Sequence, residues 1–337
     1  MNRSRALLVL LLLLAPESAT GYVPSITKES QRPLSWRGTN CVKIRPSAVG
    51  TPDVPGDGEL EAIRRAAANW NTAVKGCSYL RIEVLEPDGP AGIDFDMTGP
   101  NENTVSWIEV QAGAACRGDG DCAEGEFCDG CGGIYEPCDQ REGACCPQGS
   151  HCWIHEPQAA GITTVFFIDE PGHGDDGRIL DADIELNGAH LFVFSTDGRQ
   201  DGTDVENTLT HELGHVMGLD HPCDDGMRSP LPRDQLGNAL PSCFPESALP
   251  DVVKQSTMYN FAESGETDKR SPEADDVRGI CDTYPLAQDP GQCTEVDLTP
   301  GCGCRVSRER GSPGSALPLV VLLGCVLLLR GRVRRRP

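Results

Sequence analysis

His211-Glu212-Leu213-Gly214-His215-Val216-Met217-Gly218-Leu219-Asp220-His221 places three imidazoles at spacings of four and six. Three imidazoles can close three corners of a zinc tetrahedron, and a glutamate beside the first is placed to handle a water at the fourth. On a helix, His211 and His215 lie one turn apart on one face and reach one ion. Gly218 adopts the left-handed conformation cheaply, so the helix can end there and turn His221 back to the same metal. Glu212 sits too near the helix axis to be an obvious fourth ligand and fits better as a general base. The chemistry implied is peptide-bond hydrolysis by a zinc-bound water. The chain has only seven histidines, and three fall in this pattern.

The elements that must position this motif are also signalled. Thr203-Asp204-Val205-Glu206 has the form of a capping box, a hydroxyl followed three residues later by a glutamate. Val205, Leu209, Leu213, Val216 and Met217 then mark an apolar helical stripe. Upstream, Asn40-Cys41-Val42-Lys43-Ile44 predicts a strand. Residues 59–74 predict a long helix with Leu60, Ile63, Ala67, Trp70 and Val74 on its buried side, and residues 79–84 alternate as a second strand. A third strand is expected over 104–110. Thr163, Thr164, Val165, Phe166, Phe167 and Ile168 form a β-branched and aromatic run, and residues 179–186 alternate apolar with acidic. The expected architecture is α/β (α+β): a twisted, mostly parallel sheet with one antiparallel edge strand, a backing helix and an active-site helix.

The extended motif resembles that of the metzincin metallopeptidases, and within them the matrixins. Ser256-Thr257-Met258-Tyr259 looks like the Met-turn, in which Met258 would lie beneath the zinc ligands. Asp275-Asp276-Val277-Arg278-Gly279-Ile280 followed by Tyr284 is similar to the matrixin C-terminal helix. The resemblance covers about 35–285. It implies a zinc endopeptidase acting on a protein or peptide substrate, with Glu212 catalytic and zinc on His211, His215 and His221. It further implies an edge strand at Thr163 to Ile168 that binds substrate by strand addition. The chain departs from the family in several ways. No cysteine-switch motif is present, and the gap from His221 to Met258 is long and contains Cys223 and Cys243. No second zinc site is recognisable, and His173 and His190 read as surface loop residues. Calcium beside Asp181, Asp183 and Glu185 is allowed by oxygen chemistry, although an exposed acidic strand face explains the same pattern.

Both ends read as addresses. A basic start, an apolar run over 6–15 and Ala19-Thr20-Gly21 describe a signal peptide over 1–21. At the other end, Gly301-Cys302-Gly303-Cys304 lies in a linker over 286–315, ahead of an apolar stretch and an arginine cluster over 316–337. This layout resembles the sorting tail of many myxobacterial surface proteins, and a plain membrane anchor is the alternative. The resemblance implies processing near Cys302 or Cys304 and display at the cell surface, and either reading places the chain outside the cell, anchored to the membrane or processed at its tail.

The formal net charge is −22, and without both ends 19 basic against 49 acidic residues leave about −30. That balance argues against nucleic acid as a partner. Seventeen cysteines in an exported chain read as disulfides. Eight of them crowd into residues 116–152, an insert too poor in apolar residues to fold without about four cross-links. Cys223 with Cys243, and Cys41 with Cys77, are plausible further pairs. The insert also supports an alternative function, a retired scaffold serving as a surface binding or adhesion protein.

Overall fold

The computed structural model describes residues 21–89, 95, 101–116, 121–129, 143–148, 150–189, 192–226, 232–294, 306–310 and 319–320. The expected signal peptide up to residue 20, Cys131, Cys138, His190, the 301–304 motif, the arginine cluster and nearly all of the apolar tail lie outside the described residues.

Strand β1 (Val23–Pro24) leads to β2 (Cys41–Pro46) and helix α1 (Gly58–Val74). Glu59 and Glu61 stand in the first turn of α1, where they complement its dipole, while Ala62, Ile63, Ala66, Ala67, Trp70 and Val74 are buried. Leu60, expected inside, is half-buried. Glu59 turns inward instead, because its Oε1 accepts the Thr51 amide at 2.7 Å. Strand β3 (Arg81–Val84) returns parallel to β2, as a helical crossover requires, and β4 (Asn103–Ile108) lies parallel on the other side of β2.

The chain then leaves the body through β5 (Val110–Gln111), β6 (Ala115–Cys116), β7 (Glu126–Asp129), β8 (Gly143–Pro147) and β9 (Cys152–Trp153). β6, β8 and β7 form a small antiparallel sheet, and β5 beside β9 closes its base. Disulfides Cys116–Cys128, Cys122–Cys145 and Cys146–Cys152 hold this insert together.

β10 (Gly161–Ile168) and β11 (Ile179–Asn187) run antiparallel, and β11 is parallel to β4. Short strands β12 (Phe194–Ser195) and β13 (Thr203–Asp204) precede helix α2 (Val205–Val216). β14 (Leu219–Asp220) follows and pairs with β1. Helices α3 (Asp251–Lys254) and α4 (Ala274–Thr283) come next, then β15 (Val306–Arg310) and β16 (Leu319–Val320).

The result is a mixed α/β body around a five-strand mixed sheet in the order β10-β11-β4-β2-β3, with only β10 antiparallel. The expected edge position of β10 is not what forms. β15 pairs antiparallel along its outer side at residues 164–168, and β16 pairs with β15. Beneath one face, Ile63 and Trp70 of α1 meet Ile184, Leu186, Leu209, Leu213, Ile280 and Tyr284 in a single core.

The second face is covered too, so the acidic side chains of β11 are not exposed as expected. Asp181, Asp183 and Glu185 are 1%, 0% and 7% exposed. Trp153, Ile108, Ala159 and Ile162 pack there, and Phe95 stacks on Phe166 at 4.7 Å. Asp183 accepts the amide and hydroxyl of Thr104 at 2.9 and 2.7 Å. Glu185 meets His155 Nε2 at 2.6 Å.

Cys223–Cys243 forms as expected, but Cys41 and Cys77 do not pair with each other. Cys41 bonds Cys293 and Cys77 bonds Cys281, closing loops of 252 and 204 residues. Closures this long stabilise by roughly 5 kcal/mol each in a chain-entropy account. They tie the chain to the body as far as Cys293, and the Thr294 amide donates to Thr39 Oγ1 at 3.2 Å. No helix among the described residues is long and apolar enough to cross a membrane.

Candidate metal centre

Helix α2 begins one residue later than the capping box predicts. Asp204, not Thr203, is its cap, and the Asp204 carboxylate accepts the Asn207 amide at 2.9 Å. Arg270 Nε donates to the same carboxylate at 2.9 Å. Glu206 is therefore freed from capping and binds Arg65 Nε at 2.7 Å and Asn69 Nδ2 at 2.9 Å, tying α2 to α1. The carboxyl end is fixed as firmly. Trp36 Nε1 donates to Val216 O at 2.8 Å and Tyr284 Oη donates to Met217 O at 2.9 Å. Gly218 has φ +93°, and a Cβ there would lie 2.6 Å from Leu34 O. Glycine is thus required both by the turn and by the close backbone approach.

These constraints bring three imidazole nitrogens to one point. Nε2 of His211, His215 and His221 are 3.2, 3.2 and 3.1 Å apart. Two ligands about 2.0–2.1 Å from a tetrahedral zinc would stand about 3.3 Å apart, so the triangle has the size that zinc requires. The far nitrogens agree. His211 Nδ1 faces Thr257 O at 2.8 Å and His215 Nδ1 faces Leu219 O at 2.9 Å. A carbonyl accepts a hydrogen bond from Nδ1–H there, which fixes the tautomer whose Nε2 carries the lone pair a cation needs. Burial, with neighbouring His215 and then Lys269, holds His211 well below the ordinary imidazole range, which favours the neutral ligand form.

Glu212 is 5% exposed. Burial raises its carboxyl to about 7, opposed by the hydroxyl of Thr163, which donates to Oε2 at 2.7 Å. Gly161 leaves space for this carboxyl, since a Cβ at that position would lie 2.8 Å from Oε1. Gly214 has a similar role one turn on: a Cβ there would lie 2.2 Å from Met258 Sδ. Met258, 1% exposed, therefore packs directly against the helix backbone between His211 and His215. Its turn is pinned from α4. Asp276 accepts Ser256 Oγ at 3.1 and 3.2 Å and the Thr257 amide at 2.8 Å. Burial and then Asp275 raise the Asp276 carboxyl to about 7.

A cleft of about 370 Å³ opens onto the three histidines and Glu212. Residues 158–161 and 192–193 form one wall, and 259–264 with Lys269 form another. The predicted strand-addition residues divide here. Thr163 turns its hydroxyl to Glu212, while Thr164, Val165, Phe166, Phe167 and Ile168 are buried side chains whose strand edge pairs with β15. The small residues Ala159, Ala160 and Gly161, just ahead of and at the start of β10, border the cleft instead. Their size was the sequence signal for a close approach. Gly214 and Asp276 carried no role beyond the motif in the sequence, although both hold the site.

Among the described residues, the groups able to gather round one ion are the three histidines and two cysteine-containing sets already engaged in disulfides. Asp181, Asp183 and Glu185 are not among them, and His173 is a half-buried turn residue accepting the Asp175 amide at 3.1 Å. No family model matches the chain, and no curated protein matches it closely enough to mark a relative.

Proposed function

We propose that this chain is a zinc-dependent endopeptidase of the matrixin-like metzincin type, exported and displayed at the cell surface. The observation that carries the reading is the 3.1–3.2 Å triangle of Nε2 atoms with a buried, neutral-range carboxyl on the adjacent residue. His211, His215 and His221 would hold the zinc ion. When bound, zinc activates water as a nucleophile and polarises a carbonyl.

The chain's own groups supply the rest. Glu212, with its carboxyl near 7, accepts a proton and returns it to the leaving amine at neutral pH. Thr163 fixes the orientation of Oε2, and Gly161 keeps the cleft wall clear of Oε1. Met258 supports the helix between the ligands from below. Six disulfides among the described residues support an oxidising location. Calcium near Asp183 and Glu185 has little to recommend it, since both carboxylates already engage Thr104 and His155.

Purified full-length chain should cleave an unstructured protein such as casein, stop with a chelator and resume with added zinc. An undiminished cleavage rate in excess chelator, or no hydrolysis of any peptide in a broad library, would reject the proposal.

A further inference from the structure

The outer side of β10 carries a segment from the far end of the chain. β15 pairs there antiparallel, from Thr164 against Arg310 to Ile168 against Val306. The pairing stops one residue short of the contact between β10 and the histidine site, where Thr163 Oγ1 donates to Glu212 Oε2 at 2.7 Å. At the start of the same strand, a Cβ on Gly161 would lie 2.8 Å from Glu212 Oε1. Among the described residues, no strand pairs on the outer side of β10 at 161–163. Those positions span about 10 Å at roughly 3.3 Å each. A polypeptide laid along β10 from the cleft therefore meets β15 after about three residues.

Connection favours β15 in this place more than composition does. Val306-Ser307-Arg308-Glu309-Arg310 is charged at Arg308, Glu309 and Arg310, so its hold on β10 rests on the backbone ladder, which any extended polypeptide can supply. β16 pairs with β15 on its far side, at Ser307 with Val320 and Arg308 with Leu319. The body is tied down as far as Cys293, bonded to Cys41, and Thr294, whose amide donates to Thr39 Oγ1 at 3.2 Å and whose hydroxyl donates to Gly38 O at 3.1 Å. Residues 295–305 are the covalent link from that anchor to β15. A link of this length keeps a segment at an effective concentration of about millimolar, whereas a severed segment is diluted to the concentration of the chain itself. β15 therefore outcompetes other strands only while it is tethered.

We propose that β15 is a tethered competitor of the substrate: it fills the strand position along β10 that a long polypeptide would take, and it restrains the chain until residues 295–305 are cut. The proposal rests on the peptidase reading. The restraint acts on substrate length. A peptide of about six residues fits the cleft and the open positions at 161–163 without reaching Thr164, whereas a longer extended chain must displace β15. The chain lacks a cysteine-switch motif, and β15 gives it a restraint of a different kind, placed on the sheet edge and not on the histidines. Cutting within 295–305 leaves every described disulfide intact, since the last of their cysteines is Cys293. The body therefore keeps its cross-links when β15 is released.

The test places the recognition sequence of an unrelated, site-specific protease within 295–305 of the full chain. Rates are compared before and after that cut, on casein and on a cleavable peptide of about six residues, with the parent chain treated alongside. Cutting should raise kcat/KM for casein about tenfold or more, and for the short peptide less than twofold. An unchanged casein rate after complete cutting overturns the proposal. An equal gain on both substrates also overturns it, because the restraint would then lie at the cleft and not along β10. Should the cut chain unfold, Ser307→Pro combined with Arg308→Pro in the intact chain decides. Adjacent strand residues donate to opposite sides, so the pair removes an amide donor toward β10 whichever residue carries it. Faster casein cleavage by that variant supports the proposal, and an unchanged rate overturns it. A chain that cleaves neither substrate, cut or uncut, rejects the peptidase reading on which the proposal rests.

Discussion

Asp276 lies on a different helix from every histidine, yet it should control metal affinity. Its carboxylate takes the Ser256 hydroxyl and the Thr257 amide, and Thr257 O in turn faces His211 Nδ1 at 2.8 Å. Replacing Asp276 by alanine leaves two buried polar groups without this acceptor. An orphaned buried donor costs about 1–3 kcal/mol, so the fold should lose roughly 2–6 kcal/mol, less whatever is regained by removing a buried carboxyl. His211 also loses the support that fixes its ring, and groups that orient metal ligands are worth about 10–100-fold in affinity. Asp276→Ala should therefore weaken zinc binding by about that factor, measured by competition with a chromophoric chelator, and lower the melting temperature by roughly 5–15 °C. Asp276→Asn keeps an oxygen for the Thr257 amide and should fall between. If Asp276→Ala binds zinc within twofold of the parent and melts at the same temperature, the proposed path from α4 to His211 is wrong.

Gly214→Ala should cost several kcal/mol or prevent folding, because its Cβ would meet Met258 Sδ at 2.2 Å; thermal melting within about 1 °C of the parent would contradict that packing. Thr163→Val removes a hydrogen bond to the Glu212 carboxylate while keeping shape, and such bonds are worth about 1.5–3 kcal/mol. The acid limb of kcat/KM should therefore move up by about one pH unit or more, and an unchanged profile would exclude Thr163 from tuning the base. Acid should strip the site. His211 has a folded value depressed below 6.5, so the unfolded chain binds protons that the folded chain resists. The stability and metal held by this neutral imidazole are complete above 6.5 and are lost as pH falls below it. Zinc retention measured by dialysis that stays constant from pH 7.5 to 4.5 would refute this.

The geometry of the three histidines was legible because it is local. Helical spacing fixes His211 against His215, and a glycine with positive φ returns His221. The crossover β2-α1-β3 was legible for the same reason, as periodicity reports which side faces a core. What escaped the sequence depends on partners far along the chain. Cys41 and Cys77 are near each other in sequence, but each is bonded to a cysteine more than 200 residues away. The acidic residues of β11 alternate as an exposed face would, but the segment after the insert brings His155 and Trp153 over them. Thr203 has the hydroxyl of a cap, yet Asp204, one residue on and paired with Arg270, takes that place. The edge of β10 is likewise set by a segment more than 130 residues downstream.

The central claim is tested most directly by measuring zinc content and casein hydrolysis of Glu212→Gln beside the parent chain. The account predicts one zinc per chain in both, with hydrolysis by the variant reduced at least about 100-fold, the lower bound for losing a general base. A variant that keeps full activity, or a parent chain that binds no zinc at the three histidines, would contradict it.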